Sequence, residues 1–233
     1  MIRENIEVCL TRLRMAAERV KRPFEDVTLV VVTKGVGLPL IYEALDCGIV
    51  HIGESRVQEA AIKYDALNQR AAQRNSRIVW HMIGHLQTNK VRDAVHFFDL
   101  IHSVDSFRLA QCIDAEAGKA GKVQDVLIQI NVFGESSKSG FSCDVLQEAL
   151  EQMKRLSHIN IKGLMTIAPL TGDLSVSRRY FCRLKELRDD MSRHGFCVLP
   201  VLSMGMSHDF EVAVEEGAGI VRVGTAIFGE RDK

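Results

Sequence analysis

Lys34 stands directly after the run Thr28-Leu29-Val30-Val31-Val32-Thr33, which is largely apolar and β-branched. An amine at the end of a buried strand is partly stripped of water. Desolvation favours the neutral, nucleophilic amine, which attacks an aldehyde to give a Schiff base. The alternative is a lysine that snorkels from the strand end into solvent. Two segments near the C-terminus offer a different chemistry. Ser203-Met204-Gly205-Met206-Ser207 and Arg222-Val223-Gly224-Thr225-Ala226-Ile227-Phe228-Gly229 combine small residues, hydroxyls and a guanidinium. Small residues let backbone N–H groups approach an anion, hydroxyls add donors, and a helix N-terminus adds a favourable dipole. Ser207, Gly224 and Thr225 therefore suit a phosphate group. Ser207 is equally suited to cap a helix running through Val212 and Val214.

These residues need a scaffold that gathers strand ends. Ile6, Leu10, Leu13, Ala17 and Val20 recur at three- and four-residue steps, predicting a lead-in helix that ends before Pro23. Short apolar runs then alternate with helical patterns. The first strand candidate is Thr28 to Thr33, and similar runs follow at Ile49 to Ile52, Val79 to Ile83 and Leu100 to Ser103. The rest are Val126 to Ile130, Ile161 to Met165, Leu199 to Ser203 and Ile220 to Val223. Continuous rather than alternating apolar runs mark strands buried on both faces of a parallel sheet. Helical patterns lie between them, such as Leu38 to Cys47 closed by Gly48, and Val145 to Leu156 with Ser142 or Asp144 as N-cap. The expected fold class is α/β, a single (β/α)8 TIM-like barrel with an N-terminal lead-in helix, occupying residues 1–233 as one domain. An open doubly wound sheet is the runner-up. In a barrel, active sites lie at the C-terminal strand ends, and the loops after the seventh and eighth strands commonly hold phosphate.

Composition narrows the partners. Lys+Arg and Asp+Glu number 30 each, so no basic field gathers nucleic acid or anionic lipid. No apolar run is long enough for a membrane span, and no secretory signal opens the chain, so a cytoplasmic protein is expected. The six cysteines, at 9, 47, 112, 143, 182 and 197, show no CxxC pairing and read as reduced thiols. His81 and His85 are four apart but straddle a strand end containing Gly84, which does not suit a metal site. Gly118-Lys119-Ala120-Gly121-Lys122 lacks the Ser/Thr and the preceding strand of a phosphate loop. Lys138 could line the mouth or lie solvated in its loop. No exposed heptad stands out, so a monomer is expected.

The chain resembles the YggS/PROSC family of pyridoxal-phosphate-binding homeostasis proteins, which is related to the N-terminal barrel of alanine racemase. The resemblance covers nearly the whole chain and rests on seven ordered motifs. They are Val31 to Lys34, Ile52 to Glu59, Trp80 to Lys90, Ser136 to Gly140, Gly163 to Met165, Leu202 to Ser207 and Val221 to Gly229. It implies pyridoxal 5′-phosphate (PLP) as cofactor, an internal aldimine on Lys34, and a phosphate held by Ser207, Gly224 and Thr225. Arg222 would face the pyridine nitrogen, with Ser203 and Met204 nearby. A guanidinium cannot accept a proton, so that neighbour leaves the ring nitrogen unprotonated and mutes carbanion chemistry. Ser55 departs from the family pattern, which has Asn there. The shorter hydroxyl would reach the ring only through water.

The resemblance implies a carrier acting in intracellular PLP homeostasis or delivery, with PLP-dependent apoenzymes as candidate partners. A racemase of this barrel class needs a second acid/base, usually a tyrosine on an appended β domain. Tyr42, Tyr64 and Tyr180 fall in helical segments away from the expected strand ends, and the chain stops soon after Gly229. The competing readings are a weak PLP-dependent racemase or lyase, and a Schiff-base aldolase acting on a sugar phosphate.

Overall fold

The structure is a computed structural model that describes residues 1–135, 138–193, 195 and 198–230. Eight parallel strands close into a barrel in chain order, β1 pairing with both β2 and β8. They are β1 (Thr28–Val32), β2 (His51–Glu54), β3 (Val79–Met82), β4 (Leu100–Val104), β5 (Gln124–Gln129), β6 (Ile159–Met165), β7 (Val201–Ser203) and β8 (Ile220–Val223). The barrel excludes the open doubly wound alternative.

Helices cover the outside: α1 (Ile2–Arg19), α2 (Leu38–Asp46), α3 (Val57–Ala72), α4 (Val91–Phe97), α5 (Phe107–Lys119), α6 (Leu146–Met153), α7 (Leu174–Arg193), α8 (Phe210–Glu215) and α9 (Thr225–Phe228). One face of each strand packs on this helical layer, through residues such as Leu29, Val31, Ile52, Trp80, Ile101 and Val126. The alternate residues point inward, as the two-residue strand period requires. Among the described residues no helix is long and apolar enough to cross a membrane.

Several expectations about elements need correction. The buried stripe of α1 is Ile2, Ile6, Cys9, Leu13, Ala16 and Ala17, while Leu10 is half-buried and Val20 is exposed. Ile6, Leu13 and Ala17 of the expected stripe lie on the buried face, Leu10 falls at its edge, and Val20 is exposed because the helix ends at Arg19, one residue before it. The strand expected at Ile49 to Ile52 begins at His51 and runs to Glu54, and the one expected from Leu199 begins at Val201. The helix expected from Val145 starts at Leu146, after a short 3-10 turn at Cys143–Val145. Neither Ser142 nor Asp144 caps it, because Ser142 precedes the turn, Asp144 lies within it, and the N-cap position of the helix is Val145. Ser207 does not cap α8 either, since the N-cap position is Asp209. Cys9, Cys47, Cys112, Cys143 and Cys182 are free thiols. Cys197 lies outside the described residues, as do Ser136 and Ser137 of the fourth motif.

Candidate functional site

Lys34 leads the turn that follows β1, where Val36 N donates to Thr33 O at 3.0 Å. A buried clamp fixes that turn from below. Glu54 ends β2 with its side chain fully buried, and its Oε1 accepts from Thr33 Oγ1 and from Lys63 Nζ of α3, both at 2.6 Å. Lys63 also donates to Thr33 O at 2.7 Å, and Gly35 N donates to Glu59 Oε2 at 2.8 Å. The residues on either side of Lys34 are thus held by side chains from β2 and α3. Burial pushes the Glu54 carboxyl up, against the opposing bonds from Lys63 and Thr33. Lys34 itself is exposed, not the partly desolvated lysine the strand pattern suggested, because β1 stops at Val32 and the turn lifts the side chain above the packed layers.

The second half of the site sits on the neighbouring strands β7 and β8. Ser203 ends β7, and the chain continues through Met204 and Gly205 to Ser207. Gly205 has φ +91°, and a Cβ there would lie 2.5 Å from Ala213 Cβ, while its carbonyl accepts from Arg222 N at 3.0 Å. Both the left-handed backbone and the close approach require glycine. Gly205→Ala is expected to cost about 1–3 kcal/mol, read as a shift in the urea midpoint. An unchanged midpoint would show that the loop can relax.

Ser207 Oγ accepts from Gly224 N at 3.2 Å and from Ala226 N at 3.3 Å. Two backbone N–H groups from the start of α9 therefore converge on one oxygen, beside the exposed Thr225. Arg222, on β8, is 4% exposed and donates from Nη1 to Ser203 Oγ at 2.5 Å and from Nη2 to Thr166 O at 2.9 Å. Among the described residues no carboxylate forms an ion pair with it, and buried Asp209 acts on it only through space. Burial lowers the guanidinium to about 10, which leaves it charged at neutral pH. Met204 is fully buried with its side chain in the layer between barrel and helices, and Ser203 is spent on Arg222 and on His102, at 2.8 Å from its Nδ1. Ser55 follows β2 half-buried, and its backbone lies so close to Gly84 that a Cβ on Gly84 would overlap it. Lys34, Ser55, Ser207, Arg222, Gly224 and Thr225 thus rise from β7, β8, β1 and β2, four consecutive staves of the barrel.

The opposite arc of the mouth holds a cavity of ≈230 Å³, lined by Gly84, His85, Gln129, Asn131, Lys138 and Tyr180 among others. Tyr180 belongs here, although its helical position had placed it away from the strand ends. α7 crosses the rim of β5 and β6, and only the tertiary packing reveals that. Its hydroxyl bonds to Glu135, whose Oε1 also accepts from Lys138 Nζ at 2.7 Å. Lys138 reaches Ile167 O at 3.2 Å as well, which makes it part of the mouth lining. Burial first, then the Glu135 carboxylate, push the Tyr180 phenol up to about 12. Sequence reading also passed over His51 and His102, inward residues of β2 and β4.

Small residues, hydroxyls and a lysine gathered on adjacent strand ends of a closed parallel barrel are the arrangement expected of a class of phosphate-bearing aldehyde binders. Comparison with known proteins agrees with that class. The family model "Alanine racemase, N-terminal domain" matches residues 8–232. A pyridoxal phosphate homeostasis protein of Aquifex aeolicus is 45% identical over 228 residues, which cover 98% of this chain and 97% of the relative. PipY of Synechococcus elongatus, solved with PLP bound, superposes with a TM-score of 0.82 at 35% identity, covering 98% of this chain and 100% of its own. A protein of unknown function from Bifidobacterium adolescentis superposes with a TM-score of 0.92 at 37% identity, covering 97% and 94%. The chain belongs to the alanine racemase N-terminal domain family and, within it, to the YggS/PROSC group of pyridoxal phosphate homeostasis proteins.

Proposed function

We propose that this chain binds PLP at the β7–β8–β1–β2 arc of the barrel mouth, holds it as a Schiff base on Lys34, and acts in intracellular PLP homeostasis or delivery. The observation that carries this reading is the convergence of the site residues on four consecutive strand ends. The donor set fits the cofactor's groups one by one. The N–H groups of Gly224 and Ala226, which donate to Ser207 Oγ here, would turn to a phosphate that takes that place, and the hydroxyls of Ser207 and Thr225 would add donors on the same side. Arg222, a buried cation with no carboxylate hydrogen-bonded to it among the described residues, suits an aromatic nitrogen acceptor. Ser55 is placed to take part only through its hydroxyl or a bridging water.

When bound, the cofactor supplies an aldehyde and an electron-accepting ring. The chain's own residues do the rest. The Glu54–Lys63–Glu59 clamp orients the lysine-bearing turn, Ser207, Gly224 and Thr225 would hold the phosphate, and Arg222 would donate to the ring nitrogen. The exposure of Lys34 and the raised phenol of Tyr180, the tyrosine at the mouth among the described residues, favour holding and releasing the cofactor over proton abstraction. Tyr180, shared with Glu135 and shifted upward, is a poor base at neutral pH.

The protein as purified is expected to show the visible absorbance of a PLP aldimine, whereas a sugar-phosphate aldolase would be colourless. Ser207→Ala should weaken PLP about 10–100-fold, the worth of a hydrogen bond to a charged group. A Ser207→Ala protein with unaltered affinity would move the phosphate elsewhere. Incubation with single-enantiomer amino acids in deuterated water separates carrier from racemase, because rapid loss of the α-proton would contradict the carrier role.

A further inference from the structure

A line of polar side chains crosses the inside of the barrel where apolar layers normally fill it. His51 Nδ1 lies 3.0 Å from His81 Nε2, His81 Nδ1 lies 2.9 Å from His102 Nε2, and His102 Nδ1 lies 2.8 Å from Ser203 Oγ. Ser203 Oγ in turn accepts from Arg222 Nη1 at 2.5 Å. The strand register explains the line. His51 pairs with Val79, two residues before His81, and His81 pairs with Leu100, two residues before His102. Each step therefore moves one strand across and two residues toward the mouth. The line starts half-buried at the opening of β2 and ends on the guanidinium, with His81 at 2% and His102 at 0% exposure.

The direction of every proton in this line follows from one end. Arg222 has five N–H groups and no acceptor, so it can only donate to Ser203. Ser203 Oγ could accept a second bond, but the only acceptor among its described contacts for its single hydroxyl hydrogen is His102 Nδ1, so the hydroxyl donates there. A His102 ring that accepts at Nδ1 carries its hydrogen on Nε2 and donates to His81 Nδ1, and the same logic passes on to His51. All three rings are Nε2–H tautomers, and each lone pair points toward Arg222. Electrostatics selects the same polarity, since the negative end of every dipole faces a buried cation that forms no ion pair among the described residues, buried Asp209 acting on it only through space. Burial keeps the rings neutral: it lowers His81 to about 3 and His102 well below the ordinary histidine range, and Arg222 adds to the effect on His102.

We propose that His51, His81, His102 and Ser203 form a positioning network for Arg222, a one-way chain of neutral imidazoles that fixes and stabilises the guanidinium facing the cofactor's ring nitrogen. The inference about the ring nitrogen rests on the PLP reading above, whereas the polarity of the chain does not. A dipole chain also stabilises the cation without offering a carboxylate that could share its proton. Arg222 thereby remains a donor only.

The experiment has two arms. In the first, long-range proton–nitrogen spectra of the imidazoles are recorded on the cofactor-free protein at neutral pH. The expected result is neutral Nε2–H rings for His51, His81 and His102, with slowly exchanging hydrogens on His81 and His102. An Nδ1–H tautomer or a protonated ring at His102 would overturn the proposal, whatever the protein binds. In the second arm, Ser203→Ala and His102→Gln are titrated with PLP and, separately, with inorganic phosphate. PLP affinity should fall about tenfold, with a shifted visible band, while phosphate affinity stays unchanged. Unchanged PLP affinity and band in variants that fold would reduce the network to interior packing and sink its positioning role. Unmodified protein that stays colourless with PLP would instead refute the cofactor reading and leave the tautomer result standing.

Discussion

Lys34→Ala is expected to abolish covalent attachment of PLP while leaving the barrel folded. Borohydride reduction followed by peptide mass spectrometry should find a pyridoxyl group on Lys34 in the unmodified protein and on no lysine in the variant. The reason is geometric. Lys34 is the exposed lysine at the end of β1, and β1 pairs with β8, which delivers Gly224 and Thr225 to the same rim. The turn does not depend on the Lys34 side chain for its anchoring, because Thr33 and Gly35 are the residues bonded to Lys63, Glu54 and Glu59. Stability should therefore change by no more than about 0.5 kcal/mol, the usual range for an exposed position. The phosphate cup remains in the variant, so weak noncovalent binding that inorganic phosphate can displace should persist. A pyridoxyl adduct on Lys63 or Lys138 in the unmodified protein would refute the assignment.

The parts of this molecule that show in the sequence are those written in local pattern. β8 coincides with its run Ile220 to Val223, and β1 is one residue shorter than its run, because both are continuous β-branched segments buried on two faces. Lys34, Ser207 and Gly224 stood out because residue type and position at a strand end already imply chemistry. What escaped was written between elements. β2 extends through Gly53 and Glu54, neither favourable in a strand, because Glu54 meets Lys63 and Thr33 in three dimensions. Ser207 suggests a helix cap, yet its oxygen serves the start of α9 instead of α8. Tyr180 reached the mouth through the path of α7, which periodicity cannot trace. The histidine line had a faint signature, one histidine in each of three successive strands, but its meaning needs the register that sets each ring beside the next.

Lys63 is the least legible of these residues and carries the largest expected effect on stability. On α3 it looks like one of many surface lysines, yet it is 8% exposed and bonds to both Glu54 Oε1 and Thr33 O. Lys63→Met fills a similar volume but leaves the Glu54 carboxylate buried without its cation. Breaking a buried pair in this way costs about 3–5 kcal/mol, measurable by urea denaturation. Its pH dependence has a definite sign. Glu54 is already raised in the folded protein, chiefly by burial, so the folded state holds its proton more tightly than the unfolded chain does. Its contribution is most favourable at acidic pH and is lost as pH rises through the raised value. Removing Lys63 enlarges that rise. The destabilisation should therefore be smaller at mildly acidic pH than at neutral pH, growing by up to about 1.4 kcal/mol per pH unit between them. Adding Glu54→Gln removes the stranded charge and should recover much of the loss and abolish the pH dependence. A Lys63→Met protein that loses less than about 1 kcal/mol, or equally at both pH values, would show that water reaches Glu54 and that the clamp is not a buried pair. Because the same ammonium holds the Thr33 carbonyl beside Lys34, a genuine clamp should also slow cofactor attachment in Lys63→Met, whereas a merely structural lysine would change the urea midpoint alone.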